Sequence, residues 1–282
     1  MAFSINTNPQ AFVALQNNAE TSRSLATTQN RIATGLEVAG AEDDSASFTI
    51  AQRIRSQVGG LNAVSDSLSR ASSTLDVALN ASETISDLLV EARELATAAS
   101  DGGLTTADRA ALSKDFDSIL TQITNTANSA EFNGVNVLSD GSTGNGDNLN
   151  ALTSLSGGAG TTIDFTGTNL TTGGSSGLNI SQLEGSETTA SAAQAAITEI
   201  TNALSTVNTV LADLGAAANQ VELQSTFVSG LQDSLEVGIG NLVDANLAEE
   251  SARLTALQTQ QQLGLSALAI ANQQPQSILS LF

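Results

Sequence analysis

The chain has 282 residues and a formal net charge of −20, from 29 acidic residues against nine Lys plus Arg, and it contains no Cys, His, Trp or Tyr. A polyanion of this kind repels nucleic-acid phosphates and anionic lipid headgroups, so neither nucleic acid nor membrane is expected as a partner. Without Cys or His there are no disulfides, no thiol nucleophiles, no His-based triads and no thiolate or imidazole metal sites, and neither enzymatic activity nor a cofactor is expected.

Met1–Ala19 carries no charged residue, and its apolar run Ala11–Leu15 is short. A Sec signal needs a basic start and a longer apolar centre, so none is read here. No window approaches the eighteen consecutive apolar residues of a membrane span. Apolar positions in the first 36 residues are Phe3, Ile5, Phe12, Val13, Leu15, Leu25, Ile32 and Leu36, and Asn8-Pro9 predicts a helix opening near residue 9. Gly35 and Gly40 break it. Ala41-Glu42-Asp43-Asp44-Ser45 then offers capping oxygens for a second helix, and Asp43 and Asp44 read as acids beside the positive end of its dipole.

That helix runs from about Ser45 to Gln57 and leads through Gly59-Gly60 into a long seam. Read at alternating steps of three and four, the seam is Leu61, Val64, Leu68, Ala71, Leu75, Ala78, Ser82, Ile85, Leu89, Ala92, Ala96 and Ala99, interrupted by Ser82 alone. Such heptad spacing winds helices around each other. Asp101-Gly102-Gly103 stops it, and Thr105-Thr106-Ala107-Asp108 caps a third helix with an apolar face at Leu112, Phe116, Ile119, Ile123, Ala127 and Ala130. Asn133-Gly134 marks a turn.

Residues 139–191 are of different material, with eleven of the 23 Gly and much Ser, Thr and Asn. Ile163 and Phe165 alternate with polar neighbours, as do Leu178 and Ile180, which predicts one or two β-hairpins docked on the helices. Gly157-Gly158-Ala159-Gly160 and the acidic stretch Asp140–Asn148 lack the repeat and spacing of calcium sites and read as turns. Ser113 and Lys114, being adjacent on a helix, diverge and form no dyad.

A second seam follows at Ile197, Ile200, Leu204, Val207, Leu211, Leu214, Ala218, Val221, Ser225, Val228, Gln232 and Leu235. It matches the first in length and period, so the chain is expected to go out along Leu61, Leu68, Leu75, Ile85 and Leu89 and return along Ile197, Leu204, Leu211, Val221 and Leu235. Beyond Gly238 and Gly240 the periodicity continues through Val243, Leu247, Leu254, Leu257, Leu268 and Ala271, with Glu250, Gln261 and Gly264 falling on the same seam. From Leu254 onward no residue is charged. Asn272-Gln273-Gln274-Pro275 is expected to end the helix, ahead of an apolar tail that includes Leu279 and Phe282.

The fold class is therefore mainly α: a long antiparallel helical bundle or coiled coil built by the N- and C-terminal halves, with a small β-hairpin portion in the middle. Pairing the two ends buries one face of each and leaves Phe3, Ile5, Phe12 and Val13 at one end, and Leu265, Ile270, Leu279 and Phe282 at the other, in water. Exposed apolar surface of that extent signals an interaction surface. With Leu15, Leu25, Ile32, Leu247, Leu254, Leu257 and Leu268, these residues form the candidate self-assembly set. Residues 115–252 hold sixteen acids and no base, so self-association should strengthen with salt.

Several stretches carry a family resemblance. Met1–Gln10, Asn30-Arg31-Ile32-Ala33-Thr34-Gly35, Asp43-Asp44-Ser45-Ala46 and Glu131-Phe132-Asn133-Gly134-Val135 resemble the amino-terminal half of bacterial flagellin. Asp244-Ala245-Asn246-Leu247-Ala248-Glu249-Glu250-Ser251-Ala252 and Ala271-Asn272-Gln273-Gln274-Pro275-Gln276 resemble its carboxyl-terminal half. The resemblance spans roughly 1–138 and 190–282. It implies a terminal coiled-coil domain (1–40 with 241–282) lining a filament lumen, and a helical rod domain (41–240) with its β-rich part at about 139–190. It also implies a homopolymeric extracellular filament used for swimming, unfolded export through the flagellar type III apparatus, an export chaperone, cap and junction proteins, and sibling flagellins as partners. A hook–filament junction protein with flagellin-like ends is the alternative. Only about fifty residues occupy the slot where relatives carry large outer domains, which implies a thin filament.

The family's patch for an animal Toll-like receptor is matched at Arg93-Glu94-Leu95, but Val90-Glu91 stands where a Gln-Arg pair is usual and Gln122 where Glu is usual. Reversing a charge at a recognition hot spot costs several kcal/mol. Weak receptor activation is the expected outcome, and a reporter-cell response equal to that of a fully matching flagellin contradicts it.

Overall fold

The computed structural model describes residues 8–139, 146–155, 162–172, 177–183 and 189–279, with side-chain surroundings through Gln273. In chain order the elements are α1 (Pro9–Thr34), α2 (Ser45–Ala99), α3 (Thr106–Ser129), β1 (Leu149–Leu152), β2 (Thr162–Phe165), α4 (Ala190–Val243) and α5 (Leu247–Leu279). Of the described residues 76% are helical, and two strands among them form a small antiparallel sheet.

The helix ends follow from local chemistry. Asn8 caps α1 by accepting from the Ala11 N–H at 3.2 Å, with Pro9 in the first turn, where its missing N–H costs nothing. Gly35, at φ 72°, closes the other end by donating to the Arg31 carbonyl. Asp44 accepts from the N–H groups of Ala46 and Ser47 and from the Ser47 hydroxyl at 2.7 Å, which caps α2. Those bonds, the Ser47 hydroxyl first among them, hold the Asp44 carboxyl below its ordinary value. Asp43 accepts from the backbone of Ala39 and Gly40 and so fixes the turn before it.

The chain divides into two compact units, residues 59–232 and residues 1–58 with 233–282. In the first, Leu61, Leu68, Leu75, Ile85 and Leu89 of α2 are buried, as are Ile200, Val207, Leu214, Val221 and Val228 of α4. Asn62 Oδ1 accepts from Gln232 Nε2 at 2.9 Å, while residues 68–76 line one groove with residues 218–226, so the two helices run antiparallel. Between the shared positions, α4 buries Ala193, Ala196, Ala203 and Val210, whereas Ile197, Leu204, Leu211 and Leu235 are half-buried. The third helix buries Phe116, Ile119, Leu120 and Ile123, and Arg109 returns from it to bond the carbonyls of Ala99 and Asp101 beyond the end of α2.

β1 and β2 pair in the register Leu149↔Phe165 to Leu152↔Thr162. Their end is pinned to the helices: the Leu152 N–H donates to Ser67 Oγ and Gln224 Nε2 donates to the Thr153 carbonyl. A second hairpin does not form at Leu178 and Ile180. Both side chains are buried, but the backbone here is satisfied by other partners: Leu178 N–H by the Thr171 carbonyl, Ser181 N–H by Glu199 and Leu183 N–H by Asp117. Asn133 and Gly134, at φ 53° and 82°, form the two-residue turn between Phe132 and Val135.

In the second unit α1 and α5 run antiparallel. Asn8 Nδ2 donates to the Ala271 carbonyl at 2.7 Å, Gln261 Nε2 reaches Ser22 Oγ, and Arg31 meets Glu250 at 3.1 Å. A small core of Val38, Ala51 and Val243, with Leu36, Phe48, Ile239 and Leu242 against it, ties the α1–α2 connection to the α4–α5 connection. Its backbone is joined as well: Glu37 and Val38 donate to the Val243 carbonyl, and Ala245 donates to the Gly35 carbonyl.

Three elements run further than their glycines and proline suggest. Gly59-Gly60 does not break α2, Gly230, Gly238 and Gly240 do not break α4, and α5 continues past Pro275 to Leu279. Pro275 has no N–H to give the carbonyl four residues back, at Ala271, and that carbonyl is the one Asn8 satisfies from α1.

Glu250 is the buried charge of this unit, 5% exposed, held by Arg31 at 3.1 Å and Arg253 at 3.5 Å. Burial pushes its carboxyl up, but the hydrogen bonds from Arg31 and Thr28 and the charges of Arg31 and Arg253 outweigh this, so it lies below the ordinary 4.5. A lowered folded value means that the pair's contribution is complete above about pH 4.5 and is lost as pH falls through the folded value. Acidification through this range is expected to loosen the α1–α5 pairing, read as faster amide exchange around Thr28 and Glu250. The Glu250→Gln variant is expected to show a weaker pH dependence than the parent; an unchanged dependence contradicts the assignment.

Candidate functional site

Each helix of the α1–α5 pair has two unlike faces. The inner face of α1 is set by Asn8, Ala11, Ala14, Asn18, Ser22, Leu25, Thr28 and Ile32, and that of α5 by Glu250, Leu254, Leu257, Gln261, Gly264, Leu268 and Ala271. These positions repeat at steps of three and four, the spacing of a coiled-coil seam. Several are small or polar, and some of the polar ones are answered across the seam: Glu250 by Arg31 and Thr28, Gln261 by Ser22, the Ala271 carbonyl by Asn8; Asn18 Oδ1 is buried without a hydrogen-bond partner among the described residues. Gly264 lies opposite Asn18, whose side chain stands where a larger residue at 264 would extend.

Large apolar side chains lie outside this seam. Phe12 is 63% exposed and Ile270 64%, and Val13, Leu15, Leu247, Leu263 and Leu265 are all at least half exposed. A shallow groove of about 450 Å³ runs between the helices, bounded by Pro9, Val13 and Ala14 on one side and Gly264, Ala267 and Ala271 on the other. This arrangement has no reacting groups and nothing to bind a metal; it is an apolar surface with small-residue hollows, suited to taking side chains from another surface. Beyond Arg253, α5 adds no charge that a covering surface must neutralise.

Of the self-assembly candidates, Phe12, Val13, Leu15, Leu247, Leu265 and Ile270 stand on the exposed surface. Leu25, Ile32, Leu254, Leu257 and Leu268 are half-buried and face the α1–α5 seam. Phe3, Ile5 and Phe282 lie outside the described residues, as does the side chain of Leu279. Leu263, 64% exposed, belongs to the same surface and is absent from the candidate set above. Arg93 and Glu94 are exposed on α2 with Leu95 half-buried beside them; Val90, Glu91 and Gln122 are exposed too. Among the described residues no helix is long and apolar enough to cross a membrane, and no group of three carboxylates is placed to hold a metal ion.

Comparison with known proteins gives this surface a context. Residues 5–143 match the model of the bacterial flagellin N-terminal helical region, and residues 197–282 match that of the C-terminal helical region. The chain is 48% identical over 279 residues to flagellin FljM of Caulobacter vibrioides, covering 99% of this chain and 98% of that one. It is 38% identical over 287 residues to a flagellin of Brucella melitensis, covering 99% of each. A structure from Vibrio parahaemolyticus, assigned to a flagellar hook-associated protein, superposes with a TM-score of 0.58 at 15% identity over 72% of this chain and all of that one, a likeness of fold alone. Two regional models in the right order, together with relatives matched from end to end, place this chain in the bacterial flagellin family.

Proposed function

We propose that this chain is a structural subunit of the bacterial flagellar filament, polymerising through the outer faces of α1 and α5. The observation that carries the reading is the row of large apolar side chains (Phe12, Val13, Leu15, Leu263, Leu265, Ile270) left in water on a helix pair whose inner faces are packed against each other. Burying such residues against neighbouring copies contributes about 1.5–3 kcal/mol each, so a handful offsets the cost of association. The terminal unit is the inner, lumen-lining part of the tube. Near-full-length flagellin relatives favour the filament subunit over the hook–filament junction protein.

The rest of the setting follows from the family. The chain travels unfolded through the flagellar export apparatus with a chaperone, adds beneath a cap, and meets junction proteins and sibling flagellins in an extracellular filament. Its −20 charge sets copies against one another until salt screens them, so assembly accelerates with ionic strength. Alternative packings of the same seams supply discrete filament states. Arg93, Glu94 and Leu95 form a surface that a host receptor engages weakly.

Ile270→Asp tests the reading at an exposed position. The monomer is expected to keep its helix content and melting temperature, while the concentration needed for filament growth rises at least tenfold, since one buried aliphatic side chain is worth roughly a factor of ten or more. Filaments growing at the parent's concentration contradict the placement of this face.

A further inference from the structure

We infer that the unit formed by residues 59–232 holds a binding pocket for a sugar-sized oxyanion, a carboxylate or phosphate on a hydroxyl-bearing body, with Arg70 as its anchor. The inference goes beyond the filament reading and does not rest on it. A hollow of about 280 Å³ opens where three segments converge: one face of α2, the turn between Phe132 and Val135, and the start of β1. On α2, Ser67, Arg70, Ala71 and Thr74 follow at steps of three, one and three, and so share the face that floors the hollow.

Charge singles this hollow out. The unit has 19 acidic residues against four basic ones, yet the hollow is lined by a base and by no acid. Arg109, another of the four bases, is committed to the carbonyls of Ala99 and Asp101. Among the described residues the Arg70 guanidinium has neither an ion pair nor a hydrogen bond, and Asp66, one turn before it, stands beyond ion-pair distance. Asp147, beside the start of β1, gives its Oδ2 to the Asn136 N–H. A guanidinium presents its N–H donors in a fixed fork that matches two oxygens of a carboxylate or phosphate at once.

Around this charge stand groups that suit hydroxyls. The carboxamides of Asn133, Asn148 and Asn150 line the hollow and hold no hydrogen bond among the described residues. Each offers two N–H donors and a carbonyl acceptor. Ser67, 8% exposed, accepts from the Leu152 N–H, which leaves its own O–H to donate. Half-buried Phe132, Val135 and Leu149 add a carbon-faced wall. The volume is more than a bare phosphate or acetate fills and lies just below the ~300 Å³ at which small-molecule pockets begin, so the fitting ligand is of monosaccharide size. The walls are set before a ligand arrives: two backbone hydrogen bonds close the turn, and β1 is paired along its length with β2.

Titration of the isotope-labelled full-length monomer, followed by its amide resonances, tests the pocket. Glucuronate and glucose 6-phosphate are the oxyanion probes, glucose the neutral one and inorganic phosphate the bare ion. One or both of the first two are expected to shift the signals of residues 67–74, 132–135 and 148–150 saturably, and the probe that does so distinguishes carboxylate from phosphate. Glucose and inorganic phosphate are each expected to bind roughly tenfold more weakly or worse, and Arg70→Gln to weaken the oxyanion by roughly the same factor. Arg93→Gln, which removes an exposed guanidinium elsewhere on α2, is expected to leave binding unchanged. No saturable shift with either oxyanion overturns the inference. So does binding that survives Arg70→Gln or falls equally in Arg93→Gln, and so does glucose or inorganic phosphate binding as tightly as the sugar oxyanion. The species titrated is the monomer, so failure here removes the pocket and leaves the filament reading to its own test.

Discussion

Everything in this structure depends on helices that lie far apart in sequence coming back to lie side by side. Residue 8 meets residue 271 and residue 31 meets residue 250 in one unit, and residue 62 meets residue 232 in the other. Such long-range antiparallel pairing lets both chain ends share a unit with the α1–α2 and α4–α5 connections. It also divides each helix into a face that is used up within the chain and a face that is not.

The two pairings are made of different materials. Between residues 59 and 232 the seam is aliphatic, with Leu68, Leu75, Ile85 and Leu89 of α2 and Ile200 and Leu214 of α4 out of contact with water. Between α1 and α5 it is narrow and partly polar, with Thr28 and Glu250 buried and Gly264 and Ala271 keeping the backbones close. A polar seam fixes register, because a slip leaves the buried Glu250 carboxylate without its Arg31 partner. It contributes less to stability than an aliphatic seam of equal length. Several large apolar residues of the terminal unit, Phe12, Val13, Leu263 and Ile270 among them, are thereby left exposed.

The sequence made some of this plain and concealed the rest for identifiable reasons. The α2 seam is legible because Leu61, Val64, Leu68, Leu75, Ile85 and Leu89 recur along it with alanines between them. The α4 seam is blurred by alanine: Ala196 and Ala203 are buried where Ile197 and Leu204 are half-buried, since small residues on adjacent positions let the helix face its partner between them. Glu250, Gln261 and Gly264 read as breaks in the last periodicity, yet each is matched by a residue more than two hundred positions away, which no local pattern reveals. Pro275 reads as a helix end because its own helix cannot satisfy the Ala271 carbonyl; the donor is Asn8 on another helix. Of the proposed assembly surface, Phe12, Val13 and Ile270 are legible as apolar residues off the seam, whereas Leu25 and Leu268 are apolar residues that the pairing itself takes up.

The most direct measurement is a cryo-microscopy reconstruction of assembled filaments at a resolution that shows side chains. The account predicts that Phe12, Val13, Leu263 and Ile270 lie within van der Waals distance of neighbouring copies while Arg31 and Glu250 stay paired within each copy. A tube in which those four side chains face open water, or in which α1 and α5 separate to pair with helices of other subunits, contradicts it.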